Sequence, residues 1–374
     1  MHSPLKVLVA AGGTGGHLFP AVAVVEQLKK IAPHGVEVEF IGSADRMEAR
    51  LVPDMGYPYT AMPIIGFRGL LTTSTILLPI RIAQSVAIAR RVIRRFKPDV
   101  VLVTGAYISY PAGVAARKEG VPLVVMESNL NPGKTNARLA PHAAAVVLTF
   151  EESRAFFPNV DARKLHVLGD PVRAQIPSPL TSEEARRSFG LDPDLPTVLI
   201  FGGSLGARSI NRAVEKLLER LAADPLDLTY QVLWQTGKDH EAQVPKKIAE
   251  RVAVLPFVND MGAAYAASDL VVSRSGATTI AELGIVGKPA ILVPLPSAST
   301  NEQRRNASVV EHHGAAIVVD DAAISERLGS IVNDLMQQPD RRADMGAAMR
   351  ALGHPHAARD AAKLVISLSG KGQA

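Results

Sequence analysis

Short apolar runs recur along the chain, and most are followed by a stretch in which apolar positions return every three or four residues. The runs Lys6–Ala11, Val36–Ile41, Val100–Thr104, Leu123–Glu127, Ala145–Leu148, Thr197–Phe201, Leu228–Gln235, Val252–Leu255, Leu270–Ser273, Ala290–Val293 and Ala316–Val319 predict strands. Their alternation with helical patterns predicts parallel sheets, and the Ala, Val, Leu and Gly bias suits strands covered by helices.

One unit occurs twice. Lys6–Ala11 runs into Gly12-Gly13-Thr14-Gly15-Gly16-His17 and then a helical pattern from Pro20 to Lys30. Thr197–Phe201 runs into Gly202-Gly203-Ser204-Leu205-Gly206 and a helix over Ala207–Leu221, 190 positions later. Two such openings predict an α/β chain with two doubly wound Rossmann-like domains in tandem. The expected organisation is 1–169 for the first domain, a proline-rich linker over 170–196 and 197–354 for the second. A second crossing near Gly353–Pro355 lets the last helix, Ala357–Leu368, return to the first domain. A length of 374 residues suits two cores rather than one.

Composition narrows the field. The absence of cysteine excludes a disulfide framework, a thiolate zinc site and a cysteine nucleophile, and fits a cytoplasmic protein. No export signal is visible at the N-terminus. A net charge of +5 is modest for a nucleic-acid binder, so no nucleic-acid partner is expected. Its distribution says more: from Met55 to Pro98 there is no acidic residue, while Arg68, Arg81, Arg90, Arg91, Arg94, Arg95 and Lys97 are interleaved with Ile64, Phe67, Leu70, Leu71, Ile76, Leu77, Leu78 and Ile80. Arg81 and Pro79 interrupt the apolar run too early for a membrane span. The segment reads as a docking surface for anionic headgroups, or as an ordinary amphipathic helix over Ser74–Phe96 with its arginines in water; one segment can be both.

Glycines between a strand and a helix N-terminus expose backbone N–H groups and the positive end of a helix dipole to phosphate oxygens. Neither loop fits a dinucleotide fingerprint, because G-x-G-x-x-G needs glycine where Leu18 stands. Gly133-Lys134-Thr135 lacks the first glycine of a P-loop, since position 128 is Ser128. Asp192-Pro193-Asp194 resembles a D-x-D metal site but sits among prolines and reads as a turn, so neither a metal nor a cofactor is assigned.

Ordered motifs then carry a resemblance. Gly12–Pro20, Ala44-Asp45-Arg46-Met47-Glu48, Gly105–Pro111, Glu127–Asn136, Gly169–Arg173, Gly202–Ala207, Phe257–Met261, Ser273–Glu282 and Gln303–Ala307 together resemble the MurG family, UDP-N-acetylglucosamine transferases that convert lipid I to lipid II in peptidoglycan synthesis. The resemblance implies a GT-B architecture, with two Rossmann-like domains facing a central cleft, and an inverting, metal-independent reaction at the cytoplasmic face of the membrane. It implies UDP-GlcNAc in the second domain and lipid I on the first, with cell-wall synthesis and division proteins as partners. By that resemblance Glu282 holds the ribose hydroxyls, Arg173 and Ser204 contact the phosphates, Phe257 and Val258 carry the uracil, and Gln303, with Glu302 beside it, reads sugar hydroxyls. The helix start at Ala277, Thr278 and Thr279 would face the diphosphate. The plain alternative for Glu282 is a capping box with Thr279.

His17 is the candidate base, because a helix N-terminus favours the neutral imidazole that accepts a proton. Its competing role is to bind the acceptor diphosphate with Thr14 and Gly15. Gly16 and Tyr107 are expected on the acceptor, Asn129 in the same cleft, and Thr14, Gly15 and Asn129 also toward the donor. Leu205, Ser128, Tyr110 and Ala106 depart from the family pattern, and Tyr110 is bulky enough to reshape the acceptor groove. Rival readings are a UDP-N-acetylglucosamine 2-epimerase, a non-catalytic sugar-nucleotide-binding subunit and a transferase acting on another lipid.

Overall fold

The structure is a computed structural model and describes residues 3–65, 77–173, 175–203, 205–223, 229–296 and 301–371. Ser204, the stretch containing Phe67, Arg68, Leu70, Leu71 and Ile76, the start of the helix expected from Ser74 and the start of the strand expected from Leu228 lie outside the described residues. The chain divides into two compact units, Met1–Arg173 with His356–Ala374, and Ala174–Pro355.

The first unit contains strands β1 (Leu5–Ala10), β2 (Val36–Ser43), β3 (Tyr59–Met62), β4 (Val100–Val103), β5 (Leu123–Glu127), β6 (Ala145–Leu148) and β7 (Leu165–Val167), all parallel, in the order β3-β2-β1-β4-β5-β6-β7. The period of two along β1 divides the core. Val7 and Val9 point to the face covered by Gly15–Ile31 and the last helix, Ala357–Leu368, through Leu18, Val25, Ala361 and Val365. Leu8 and Ala10 point to the other face with Ala89, Val92, Ala112 and Ala116 from Leu78–Phe96 and Ala106–Glu119. Burial of each such Val or Leu contributes about 1.5–3 kcal/mol. The last helix is anchored at its end by Lys371, whose Nζ donates to Asp99 Oδ2 at 2.7 Å and to the Pro4 carbonyl at 2.8 Å.

The second unit contains β8 (Thr197–Phe201), β9 (Gln231–Gln235), β10 (Val252–Leu255), β11 (Leu270–Ser273), β12 (Ala290–Leu292) and β13 (Ala316–Val318), parallel, in the order β10-β9-β8-β11-β12-β13. Its core joins Val198, Ile200, Trp234 and Val272 to the apolar stripe Ile210, Val214, Leu217 and Leu221 of the helix Arg208–Ala223.

Two short strands escape the apolar pattern. Tyr59–Met62 and Leu165–Val167 are the edges of the first sheet, each with one neighbour, and are short strands that carry Thr60 and His166. The first helix begins at Gly15 rather than Pro20 and runs through that proline. Gly15, Gly16 and His17 therefore belong to its opening turn.

Leu78–Phe96 is both buried and exposed: Ser85, Ala89, Val92 and Ile93 face the core, whereas Ile80 and the capping residue Leu77 are 56% and 43% exposed. Its arginines are not all left to solvent or headgroups. Arg90 and Arg94 reach Glu119 at 2.6 and 2.9 Å, and Arg95 pairs with Glu39. Acids absent from the segment itself thus arrive from other elements. Among the described residues no ion pair is drawn to Arg81, Arg91 or Lys97, and no helix is long and apolar enough to cross a membrane.

Candidate active site

Strand order alone locates the chemistry. In each sheet the chain builds outward in one direction and then the other, and the reversal falls between β1 and β4 in the first unit and between β8 and β11 in the second. Ligands of open parallel sheets bind outside the carboxyl ends of the strands at such a switch point. Ala10 pairs with Val103 and Phe201 with Ser273, so Gly12–Thr14 emerges beside Thr104–Tyr107, and Gly202 and Gly203 beside Arg274–Gly276.

In the first unit, Gly12 and Gly13 take φ of +152° and +82°, and Thr14 caps the helix without a side-chain capping bond. Behind them lies Glu48, fully buried. One carboxylate oxygen accepts the Gly13 N–H at 2.9 Å, and the other accepts the Ser43 N–H at 3.2 Å and the Ser43 hydroxyl at 2.6 Å. A side chain on Gly12 would lie 2.4 Å from the Glu48 carboxyl carbon. Tyr59, whose phenol donates to the Ser43 carbonyl, is held well above its ordinary value by burial and by the neighbouring Glu48 carboxylate. Glu48 was not singled out in sequence as a site residue, although it lies within the motif Ala44–Glu48.

His17 is half-buried at the head of the first helix, its carbonyl accepting from Thr104 Oγ1 at 2.8 Å. Its ring packs against Gly105, where an added Cβ would sit 3.4 Å from His17 Cε1 and 3.1 Å from Asn136 Nδ2. His17 and Asn136 therefore meet over a position open only to glycine, which has φ +100°. Asn136 Nδ2 donates to the Met126 carbonyl and to Glu127 Oε2, both at 2.9 Å. Glu127 also accepts from the Asn129 N–H at 3.0 Å, the Asn129 amide at 3.3 Å and the Gly133 N–H at 3.0 Å. Burial pushes its carboxyl up, and these donors offset part of that rise. The P-loop-like Gly133-Lys134-Thr135 thus spends its first N–H on a carboxylate.

Thr14 and Gly16 are exposed. Tyr107 and Tyr110 are half-buried and pack on the core of this unit. Ser128, a departure from the family pattern, donates its hydroxyl to Asp170 at 2.6 Å in a buried pair. Ala106 occupies the left-handed region at φ +55°, a conformation that favours glycine. Arg173 is exposed, with its guanidinium 5.0 Å from the ring centroid of Phe19.

In the second unit the helix Ala277–Val286 is capped by Gly276. Thr279 therefore lies inside the helix, and the capping box with Glu282 does not form. Glu282 is buried, and its Oε2 accepts from the phenol of Tyr265 at 2.9 Å. Tyr265 is fully buried and packs edge-on against Phe201 at 6.2 Å. The Ala277, Thr278 and Thr279 N–H groups form the helix's opening turn. Beneath it, Ser275 donates its hydroxyl to the Gln303 carbonyl at 2.9 Å, and Gln303 Oε1 accepts the Leu295 N–H at 3.0 Å. Arg274 ties the same turn to the Val293 carbonyl at 3.1 Å, to Ser209 at 3.0 Å and to Asp321 at 2.5 Å.

Leu205 stands on the lip of the other glycine turn, 91% exposed. Phe257 is 42% exposed, whereas Val258 is buried and gives its N–H to Gln235 Oε1 at 2.9 Å. Asp192 Oδ1 accepts the Asp194 N–H at 2.9 Å, the bond of an Asx turn. Tyr265 and Gln235 lie outside the motifs read from the sequence, and Arg274 lies within Ser273–Glu282 but was given no role there.

Two doubly wound parallel sheets in one chain, each opening glycine-lined helix starts at its switch point, define an α/β protein of the GT-B class. The glycosyltransferase family 28 N-terminal domain matches residues 7–148 and its C-terminal domain residues 197–369, and the chain belongs to this family. A Chlorobaculum tepidum protein named UDP-N-acetylglucosamine--N-acetylmuramyl-(pentapeptide) pyrophosphoryl-undecaprenol N-acetylglucosamine transferase is 40% identical, covering 98% of this chain and 100% of its own. The crystal structure of Acinetobacter baumannii MurG superposes with a TM-score of 0.78 at 30% identity, covering 97% of this chain and 100% of that one. A putative UDP-N-acetylglucosamine 2-epimerase from Listeria monocytogenes shares the fold alone, with a TM-score of 0.68 at 15% identity over 98% of this chain and 96% of that one.

Proposed function

We propose that this chain transfers N-acetylglucosamine from UDP-N-acetylglucosamine to the 4-hydroxyl of the N-acetylmuramyl unit of lipid I, giving lipid II with inversion at the anomeric carbon. The observation that carries this reading is the end-to-end relation to a transferase of that name, with every motif behind the resemblance present in order.

The roles follow from the local chemistry. The opening turn at Ala277, Thr278 and Thr279 meets the donor diphosphate with N–H groups and a helix dipole, Glu282 accepts from the ribose hydroxyls, and Tyr265 fixes its carboxylate. Val258 contributes to the uracil pocket, and Gln303 reads the sugar with its amide nitrogen. Arg173 and Ser204 meet the charge that grows on the leaving diphosphate. Thr14, Gly15 and Asn129 complete the donor contacts, while Gly16, His17 and Tyr107 face the acceptor.

As the acceptor oxygen attacks the anomeric carbon, the carbon–oxygen bond to UDP breaks and the hydroxyl proton passes to His17. Leu77 and Ile80, with Arg81, Arg91 and Lys97, dock the first unit on the anionic cytoplasmic face of the membrane, where cell-wall synthesis and division proteins would be its neighbours.

The test is transfer of labelled N-acetylglucosamine to a short-chain lipid I analogue, with and without EDTA. Product at an unchanged rate in EDTA is expected. His17→Ala should cut turnover by about 10²–10⁴-fold with UDP affinity kept within twofold, and Glu282→Ala should weaken the donor by about 10–100-fold. Conversion of UDP-N-acetylglucosamine without acceptor would favour the epimerase. Nucleotide binding without transfer would reduce the chain to a binding subunit.

A further inference from the structure

We infer that Gln235 is a positioning residue that sets the distance between Gly203 of the glycine turn and the segment Phe257–Val258, so that one nucleoside diphosphate engages both at once. The inference deepens the donor-site reading above and rests on it.

Gln235 closes β9, between Phe201 of β8 and Leu255 of β10 in the register of the sheet. Its side chain is 3% exposed, and both ends of its amide are used. Nε2 donates to the Gly203 carbonyl at 2.9 Å, and Oε1 accepts the Val258 N–H at 2.9 Å. The orientation is forced, because a carbonyl needs the NH₂ and an N–H needs the oxygen.

The next two residues reinforce the link with backbone. Thr236 and Gly237 donate to the Leu255 and Pro256 carbonyls at 3.0 and 3.1 Å. A Cβ on Gly206 would lie 2.1 Å from the Thr236 carbonyl oxygen, and one on Gly237 would lie 2.4 Å from the Leu205 carbonyl oxygen. The two loops leave from strands on either side of β9, and Gln235 bonds to both. A ligand with a base at one end and phosphates at the other gains from both contacts only when their separation is held in advance.

The experiment is calorimetric titration of UDP, uridine and inorganic pyrophosphate into the full chain, its Gln235→Met variant and its Gln235→Glu variant, alongside steady-state transfer kinetics. Methionine keeps the volume of glutamine and removes both bonds. Gln235→Met should weaken UDP by about tenfold, and uridine and pyrophosphate each by less than about twofold, because the linkage is lost rather than either half-site. KM for the sugar nucleotide should rise by a similar factor, with kcat within about twofold.

Gln235→Glu places a carboxylate against the Gly203 carbonyl at neutral pH. Its UDP affinity should recover as acid restores a proton to that position. Equal losses for all three ligands with a lowered melting temperature would mean an ordinary packing role and overturn the inference, as would unchanged UDP affinity in Gln235→Met. A native chain that fails to bind UDP would instead sink the donor-site reading, and this inference with it.

Discussion

The two glycine turns begin alike in sequence and are held in place by different means. Gly12–Thr14 is braced from behind by a side chain, the buried Glu48 carboxylate, which takes up the Gly13 N–H. The second turn is held at a carbonyl instead, with the Gly203 oxygen accepting from the Gln235 side-chain amide and Gly206 packed closely against the Thr236 backbone. A carboxylate behind a turn spends one of its N–H groups and adds negative charge next to any bound anion. The first turn therefore has its Gly13 N–H already engaged by the protein itself. Similar glycine spacing thus specifies a strand-to-helix turn and does not specify which donors remain for a ligand.

The largest test of this contrast is Gly206→Ala. With φ +76° and a carbonyl oxygen 2.1 Å from the new methyl, the change should cost about 3 kcal/mol or more. Thermal melting should show the loss, and UDP affinity should fall with it. Glu48→Gln comes next. It preserves shape but turns an NH₂ toward either the Gly13 N–H or the Ser43 donors, which use different oxygens of the carboxylate, so about 2 kcal/mol of stability should go. Acceptor KM should rise while UDP affinity stays within about twofold. A matching loss of UDP affinity would erase the distinction between the turns.

Ala106→Gly works in the opposite direction, relieving a left-handed alanine beside the first turn, and should stabilise the chain by about 0.5–1 kcal/mol in denaturant unfolding.

Acid supplies the mildest probe. His166 in the first unit and His354 in the second are both held below the ordinary value of 6.5 by burial. The unfolded chain therefore takes up protons that the native chain does not, and stability present above pH 6.5 declines as pH falls through the window beneath it. His166→Gln and His354→Gln, measured singly between pH 7.5 and about 5, should each flatten part of that decline. The larger flattening identifies the unit that acid loosens more.

Much of the fold was legible because parallel strands buried on both faces announce themselves as unbroken apolar runs. Leu123–Glu127, Thr197–Phe201 and Leu270–Ser273 are strands at the expected residues, and the last helix spans Ala357–Leu368 and packs on the first core. Edge strands Tyr59–Met62 and Leu165–Val167 were not legible, since they are short and carry Thr60 and His166. The motifs pointed to His17 and Glu282 but not to the residues that hold such groups. Glu48 meets Gly13 across 35 positions, and Tyr265 meets Glu282 across 17.

By itself the sequence determined where the chain turns, which faces are apolar and where helix N-termini open onto glycine, because these depend on local period and backbone freedom. Only the tertiary structure decided which donors and charges remain at those openings. It took the Gly13 N–H for Glu48, kept Glu282 out of a capping box, and supplied Glu119 and Glu39 to a helix that had seemed purely basic. The physical reason is that hydrogen bonds and ion pairs are settled by proximity in space, and strand order brings together residues that no local spacing relates.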